Sequence, residues 1–224
     1  MNNYAFQFNS CTLNLMSSNA RLQVGIVGAS GFTGSELMRL IAGHPEMELV
    51  VATGDTQAGS KVRDLYPSLA AEYGETVYRE YAASEMEGLD AVFLGLPHMA
   101  SQPIVSELFN KVGCILDLGS DFRLKDPSLY PQWYGVEHSA PELLEHFVYG
   151  LPEVYRSELK GAQGIAVPGC YPTAASLALH PFAEAGKIQQ TGVIVDAASG
   201  VSGAGRAAKA STTFSSVDET FNAY

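Results

Sequence analysis

One stretch near the start of the chain limits the fold more than any other. Leu22 to Val27 is a short apolar run, followed at once by Gly28-Ala-Ser-Gly31-Phe-Thr-Gly34. Leu37, Leu40 and Ile41 then recur at helical spacing, and Gly43 with Pro45 ends the helix. Glu48 to Thr53, with Leu49, Val50 and Val51, is a second apolar run. Strand, glycine turn, helix, strand in that order is a βαβ unit, which needs a parallel sheet and a helical crossover.

The rest of the chain extends this pattern. Ala91 to Leu96 reads as a strand closed by Pro97, and His98 to Asn110 as a helix with Ile104, Leu108 and Phe109 inward. Val112 to Leu118 and Ile165 to Val167 are further strands. Strands alternating with helices predict an α/β fold with a doubly wound, mainly parallel sheet. Between Gly119 and Leu151 the texture is aromatic and irregular (Phe122, Tyr130, Trp133, Tyr134, Phe147, Tyr149), as in a long excursion at the carboxyl ends of the strands. Thr191 to Ala197 reads as a strand of a second sheet. The expected organisation is a disordered extension over 1–20, a nucleotide-binding domain over 21–168, and an incomplete α+β domain over 169–224. Cys11 lies in the extension, where Met16 is a second potential start, and has no assigned role.

Four glycine-bearing or charged stretches carry candidate chemistry. Gly28, Gly31 and Gly34 permit a tight turn, close approach of backbone to a pyrophosphate, and close helix–strand packing, with the helix N-terminus facing the phosphates. The spacing is GxxGxxG rather than GxGxxG, and a structural turn is the competing reading. Ser30, Phe32 and Thr33 complete the candidate dinucleotide contacts. After the second strand come Thr53-Gly54-Asp55 and then Ser60-Lys61. Hydroxyl plus lysine suits a 2′-phosphate and favours NADP, while Asp55 keeps NAD open. Arg123, in Ser120-Asp121-Phe122-Arg123, can clamp a phosphate or carboxylate, or pair with Asp121 or Asp126. Successive glycines from Ser199 to Arg206 suit an anion nest or a flexible turn.

Cys170 is the candidate nucleophile. It follows Pro168-Gly169 and opens an apolar, helix-compatible stretch that Gly186 can end, with Pro172 in its first turn. Free N–H groups and the positive dipole end at a helix N-terminus favour the thiolate, the form that attacks carbon. Cys114, inside a strand, reads as a core thiol. His44, His98, His138, His146 and His180 show no metal-ligand spacing and read as structural, so no metal site is expected.

Thirteen basic against twenty-four acidic side chains, a net charge of −11, argue against nucleic acid or an anionic membrane as partner. Three cysteines without CxxC spacing fit a reducing compartment, and no run has transmembrane length. A cytoplasmic enzyme acting on a small molecule is the expectation.

Together these stretches resemble the N-acetyl-γ-glutamyl-phosphate reductase family. The matching pieces are Val27-Gly-Ala-Ser-Gly-Phe-Thr-Gly34, Ser120-Asp-Phe-Arg-Leu124, Trp133-Tyr-Gly135 with His138 and Pro141-Glu-Leu-Leu144, Tyr149-Gly-Leu-Pro-Glu153, Val167-Pro-Gly-Cys-Tyr-Pro-Thr173 and Ser199-Gly-Val-Ser-Gly-Ala-Gly-Arg206. Aspartate-semialdehyde dehydrogenase is similar in fold and chemistry. The resemblance implies a Rossmann-type domain followed by the start of a truncated substrate and dimerisation domain. It implies NADPH-dependent reduction of an acyl phosphate through a thioester on Cys170, in arginine biosynthesis. Arg123, Ser199, Gly200 and Arg206 would lie on the substrate side, and Ser202 and Gly203 would join Gly28, Ser60 and Lys61 on the cofactor side. A homo-oligomer is implied for the full-length protein. The family's acid–base histidine, in a His-Arg-His-x-Pro-Glu segment, has no match in these residues. The chain therefore reads as an amino-terminal portion with little activity of its own; an NADP-binding fragment and another semialdehyde dehydrogenase are the alternatives.

Overall fold

The computed structural model describes residues 20–221, so Cys11, Met16 and nearly all of the expected extension lie outside the described residues. Six strands form one sheet: β1 Leu22–Val27, β2 Met47–Ala52, β3 Ala91–Leu94, β4 Ile115–Asp117, β5 Phe147–Tyr149 and β6 Gly164–Ala166. Their order is β2-β1-β3-β4-β6-β5 and every pairing is parallel. The helices of eight or more residues are α1 Phe32–Ala42, α2 Ser101–Leu108, α3 Pro152–Leu159 and α4 Cys170–Glu184.

The central strands are buried on both faces, as the unbroken apolar runs require. One core layer joins Val24 and Ile26 of β1 to Met38 and Ile41 of α1, with Tyr78 beneath. The other joins Val27, Val92 and Leu94 to Val105 and Leu108 of α2, and continues to Phe122 and Phe147, whose rings stack 4.1 Å apart. The order reverses between β1 and β3: α1 leads from β1 to the β2 side, whereas α2 leads from β3 to the β4 side. The loops after β1 and β3 therefore flank one crevice at the carboxyl edge.

Three expectations are corrected. The aromatic excursion contains β5, which forms the sheet edge beside β6. The expected strands and helix shorten at their ends, to Ile115–Asp117 and Ser101–Leu108. Thr191 to Ala197 forms no strand: no described strand runs beside it, so its backbone groups have no ladder partner there. Ile194 there is 86% exposed.

Candidate active site

The glycines of the first turn have three separate physical reasons. Gly28 has φ +86°, and a Cβ on it would fall 2.4 Å from the Gly95 carbonyl oxygen at the end of β3. A Cβ on Gly34 would fall 2.5 Å from Ala29 Cα, so α1 lies directly on the strand exit. Gly31, the N-cap of α1, has an ordinary extended conformation, and its Cβ would meet only Gly28 O at 3.5 Å. Neither backbone nor neighbours demand glycine there; what its missing Cβ leaves open is approach from outside the protein. The first turn of α1 has no acidic residue and no side-chain cap, and Phe32 and Thr33 are exposed. These residues fit a dinucleotide pyrophosphate. Ser30 is buried and its hydroxyl donates to Gly54 O (3.1 Å), while Gly28 N donates to Thr53 Oγ1 (3.3 Å). The turn is thereby tied to the end of β2.

At that second corner Asp55 is exposed with φ +42°. The Ser60 hydroxyl donates to Gln57 O (2.6 Å). Lys61 pairs with Glu75 at 2.6 Å, and Arg63 pairs with the same carboxylate. The Lys61 hydrogen bond, with the charges of Arg63 and Lys61 added, holds the Glu75 carboxyl below its ordinary value.

Cys170 is the first residue of α4, capped by Gly169, and it is exposed. Gly169 O accepts from Thr173 N (3.0 Å) and Thr173 Oγ1 (2.8 Å), which fixes the first turn. Beneath it lies Arg123. Its Nε donates to Val167 O (2.8 Å) and its Nη2 to Leu118 O (2.9 Å), bracing the exits of β6 and β4 together. Nη1 lies 3.2 Å from where a Cβ on Gly169 would stand, a tight approach that glycine leaves open. Arg123 thus pairs with neither Asp121 nor Asp126. Asp126 instead accepts from the backbone and hydroxyl of Ser128.

A groove of about 480 Å³ runs between the first turns of α4 and the stretch 195–200. It brings Cys170 together with Ser199 and Gly200. Ser202 and Gly203 lie on the following helical turn, outside the residues around the groove, and Gly203 N and Gly205 N donate within that turn. Arg206 is half-buried and its charge acts on Tyr78, opposing the burial that pushes that phenol up to about 12.

At the carboxyl ends of β3 and β4 lies a buried cluster that the sequence reading missed. Asp121 accepts from Met99 N (2.7 Å) and Ser101 N (2.8 Å), the groups that open α2. Asp117, at the end of β4, accepts from Ser101 Oγ (2.6 Å) and Gly119 N (3.0 Å), and its other oxygen has no partner. Burial pushes the Asp117 carboxyl up to about 6, with the Asp121 charge adding to it. His98 is exposed and its Nδ1 lies 2.8 Å from Ser120 Oγ. The only signal for these contacts is that each residue follows the carboxyl end of a strand. His138 is structural: buried, with Nδ1 accepting from Ala140 N and Nε2 donating to Asp121 O. Cys114 is buried, and burial pushes its thiol up to about 12. Among the described residues no group of three or more acidic, His or Cys side chains could hold a metal, and no helix is long and apolar enough to cross a membrane.

Residues 23–162 match the family model of the semialdehyde dehydrogenase NAD binding domain, and residues 170–224 that of the semialdehyde dehydrogenase dimerisation domain. N-acetyl-gamma-glutamyl-phosphate reductase of Symbiobacterium thermophilum is 46% identical over 203 residues, covering 91% of this chain and 58% of that protein. The protein of the same name from Pseudomonas syringae pv. syringae is 45% identical, covering 91% and 59%. The chain thus spans under two thirds of the length of these relatives. The structure of aspartate semialdehyde dehydrogenase with NADP from Candida albicans superposes with a TM-score of 0.53 at 18% identity, over 75% of this chain and 48% of that one, a likeness of fold.

Proposed function

The chain belongs to the semialdehyde dehydrogenase family, and from that premise we propose that it carries the dinucleotide site and the nucleophile of an enzyme that reduces N-acetyl-γ-glutamyl phosphate to N-acetylglutamate 5-semialdehyde and phosphate. One observation carries this reading. Cys170 is exposed at the first turn of α4, at a groove, and it follows the exit of β6 on the same sheet whose β1 exit forms the Gly28–Gly34 turn. The relatives at 44–46% identity bear that reductase's name.

The Cys170 sulfur attacks the γ-carbonyl carbon. A carbon–sulfur bond forms, the carbon–oxygen bond to phosphate breaks, and its electron pair leaves with phosphate, so a thioester remains on Cys170. Gly28, Ser30, Gly31, Phe32, Thr33 and Gly34 would hold a reduced dinucleotide, which would supply the hydride; the carbon–sulfur bond then breaks, the aldehyde leaves and the Cys170 thiolate returns. The N-terminal turn of α4 sets positive partial charge beside the sulfur and the substrate oxygen. Arg123 sets the position of Gly169, and so of Cys170, and is assigned with Ser199, Gly200 and Arg206 to the substrate side. Ser202 and Gly203 are assigned to the cofactor side. NADP is the proposed cofactor, with Ser60 and Lys61 toward its 2′-phosphate. Self-association through residues 170–224 and a cytoplasmic location belong to the same proposal.

These 224 residues contain no His-Arg-His-x-Pro-Glu segment. A positioned acid–base group is worth about 10²–10⁴ in rate. A second reading, a chain that binds dinucleotide and accepts the acyl group but completes no turnover, is supported by the described residues around the Cys170 groove, which include no histidine. Intact mass and peptide mapping after exposure to N-acetyl-γ-glutamyl phosphate test the shared core of both. The expected result is one acyl adduct on Cys170, one equivalent of phosphate, and neither in Cys170→Ser. An adduct on Cys114, or none on Cys170, overturns the nucleophile assignment. NADPH oxidation after acylation then separates the two readings.

A further inference from the structure

We infer that His98 is a positioning residue for the nicotinamide half of the dinucleotide, its Nε2 accepting a hydrogen bond from an O–H or N–H donor of the uncharged nicotinamide riboside. The inference rests on the dinucleotide reading above and deepens it.

His98 stands in the loop after β3, the strand beside β1 on the far side from β2. In a sheet of this order the adenosine lies toward the end of β2 and the pyrophosphate over the end of β1. The remaining half of the molecule then reaches the end of β3. The two loops there approach closely, since a Cβ on Gly28 would strike the Gly95 carbonyl.

The imidazole is held in place before any ligand arrives. Its Nδ1 lies 2.8 Å from Ser120 Oγ, and Ser120 is wholly buried in the loop after β4. The Ser120 hydroxyl in turn donates toward Asp121 Oδ1 at 3.4 Å. Asp121 is also wholly buried and holds Met99 N and Ser101 N, which fixes the backbone on the other side of His98, with Met99 at φ +65°. With the Ser120 proton directed at Asp121, Nδ1–H donates to Ser120 Oγ. In that tautomer the ring presents Nε2 as an acceptor. Nε2 has no hydrogen-bond partner among the described residues. An exposed acceptor suits a hydroxyl or carboxamide N–H and not a phosphate oxygen, so it selects the nicotinamide riboside over the phosphates. His138, a few residues away in space through Asp121, has both ring nitrogens used inside the protein. Of these two imidazoles, His98 is the one with a nitrogen to spare.

The test compares two probes on the full chain: NADPH, which has the nicotinamide half, and adenosine 2′,5′-bisphosphate, which lacks it. Both affinities are measured by titration calorimetry. In His98→Asn the side-chain amide can still reach Ser120, but nothing occupies the Nε2 position. NADPH is expected to weaken roughly five- to tenfold, the worth of one neutral hydrogen bond, with the bisphosphate unchanged. His98→Gln, whose amide oxygen reaches the Nε2 position, should recover at least half of that loss. Three outcomes overturn the inference: NADPH affinity within twofold of the parent in His98→Asn, equal loss on both probes, or no recovery in His98→Gln. If the parent binds the bisphosphate but not NADPH, the inference fails alone. If the parent binds neither probe, the dinucleotide reading falls first.

Discussion

The sheet region up to β6 and the stretch from Cys170 onward are similar in apolar content along the chain and opposite in how they bury it. Before Cys170, Val24, Ile26, Leu94, Val105, Leu108, Phe122 and Phe147 are fully or almost fully buried in two layers. After it, the fifteen residues of α4 include none that is buried, and Phe182, Ile194, Phe214 and Phe221 are each more than half exposed. The difference teaches that a hydrophobic pattern specifies an element only where a complementary face is present. The run at 22–27 finds β2 and β3 on either side; the run at 191–197 finds nothing among the described residues.

The sharpest way to break this comparison is a matched pair of truncations. Phe147 is fully buried and stacked on Phe122, so Phe147→Ala should cost about 3–5 kcal/mol. Ile194→Ala, at 86% exposure, should stay within about 0.5 kcal/mol. Urea unfolding read by circular dichroism measures both. Equal costs would mean that the two regions bury their apolar residues alike.

A second effect of similar size depends on pH. Asp117 carries a folded value of about 6 against an ordinary 3.8, so between these the folded state keeps a proton that the unfolded chain releases. Stability therefore falls as pH rises through that window, by at most about 3 kcal/mol, and the loss is complete above it. Asp117→Asn keeps the acceptor for Ser101 and Gly119 and cannot ionise. It should match the parent near pH 4 and exceed it at pH 8. A parent whose midpoint is flat from pH 4 to 7 would contradict the assignment. Because the groups that face Asp117 (Ser101, Gly119, Asp121 and Arg123) all lie on the sheet side, the pH effect sharpens the contrast between regions.

Glycines separate the regions on a smaller scale. A Cβ on Gly34 would lie 2.5 Å from the Ala29 backbone, which cannot yield without moving the turn, so Gly34→Ala should cost about 1–3 kcal/mol and weaken dinucleotide binding. A Cβ on Gly203 would meet the exposed Ser199 hydroxyl at 2.9 Å, a group that can rotate away, so Gly203→Ala should cost under about 0.5 kcal/mol. Thermal melts of the two variants side by side settle the difference.

What was legible in the sequence follows the same division. The β1 bounds, Leu22 to Val27, emerge unchanged because an apolar run followed by glycine has one outcome in a buried parallel sheet. Cys170 at a helix start was legible from Pro168-Gly169, which stop the preceding strand and permit a cap. β5 was not, since its three residues sit within an aromatic stretch and are made a strand only by β6. Arg123 was read as a ligand clamp or an ion pair, but its guanidinium goes to carbonyls of Leu118 and Val167, and backbone carbonyls leave no trace in composition. The Ser101–Asp117–Asp121 cluster joins the start of α2, the end of β4 and the loop after it, and no spacing along the chain reveals it.

The smallest stability effect should come from the most consequential residue. Cys170 is exposed, and Gly169 and Thr173 rather than its thiol fix the first turn of α4. Cys170→Ser changes one atom at a site that packs against little, so the unfolding midpoint should move by no more than about 0.5 kcal/mol. Acylation by the acyl phosphate should nonetheless be lost outright, because a serine hydroxyl there has no described base to remove its proton. Phe147→Ala is expected to do the reverse, reducing the folded fraction while the folded remainder still acylates. If Cys170→Ser instead unfolds the protein, the thiol is a packing group and the region after β6 is more ordered by burial than its exposure indicates. If acylation and stability fall together in both variants, the sheet and the nucleophile form one cooperative unit. The expected separation of the two losses assigns stability to the sheet and leaves Cys170 on a helix whose first turn is fixed by Gly169 and Thr173, with Arg123 beneath it.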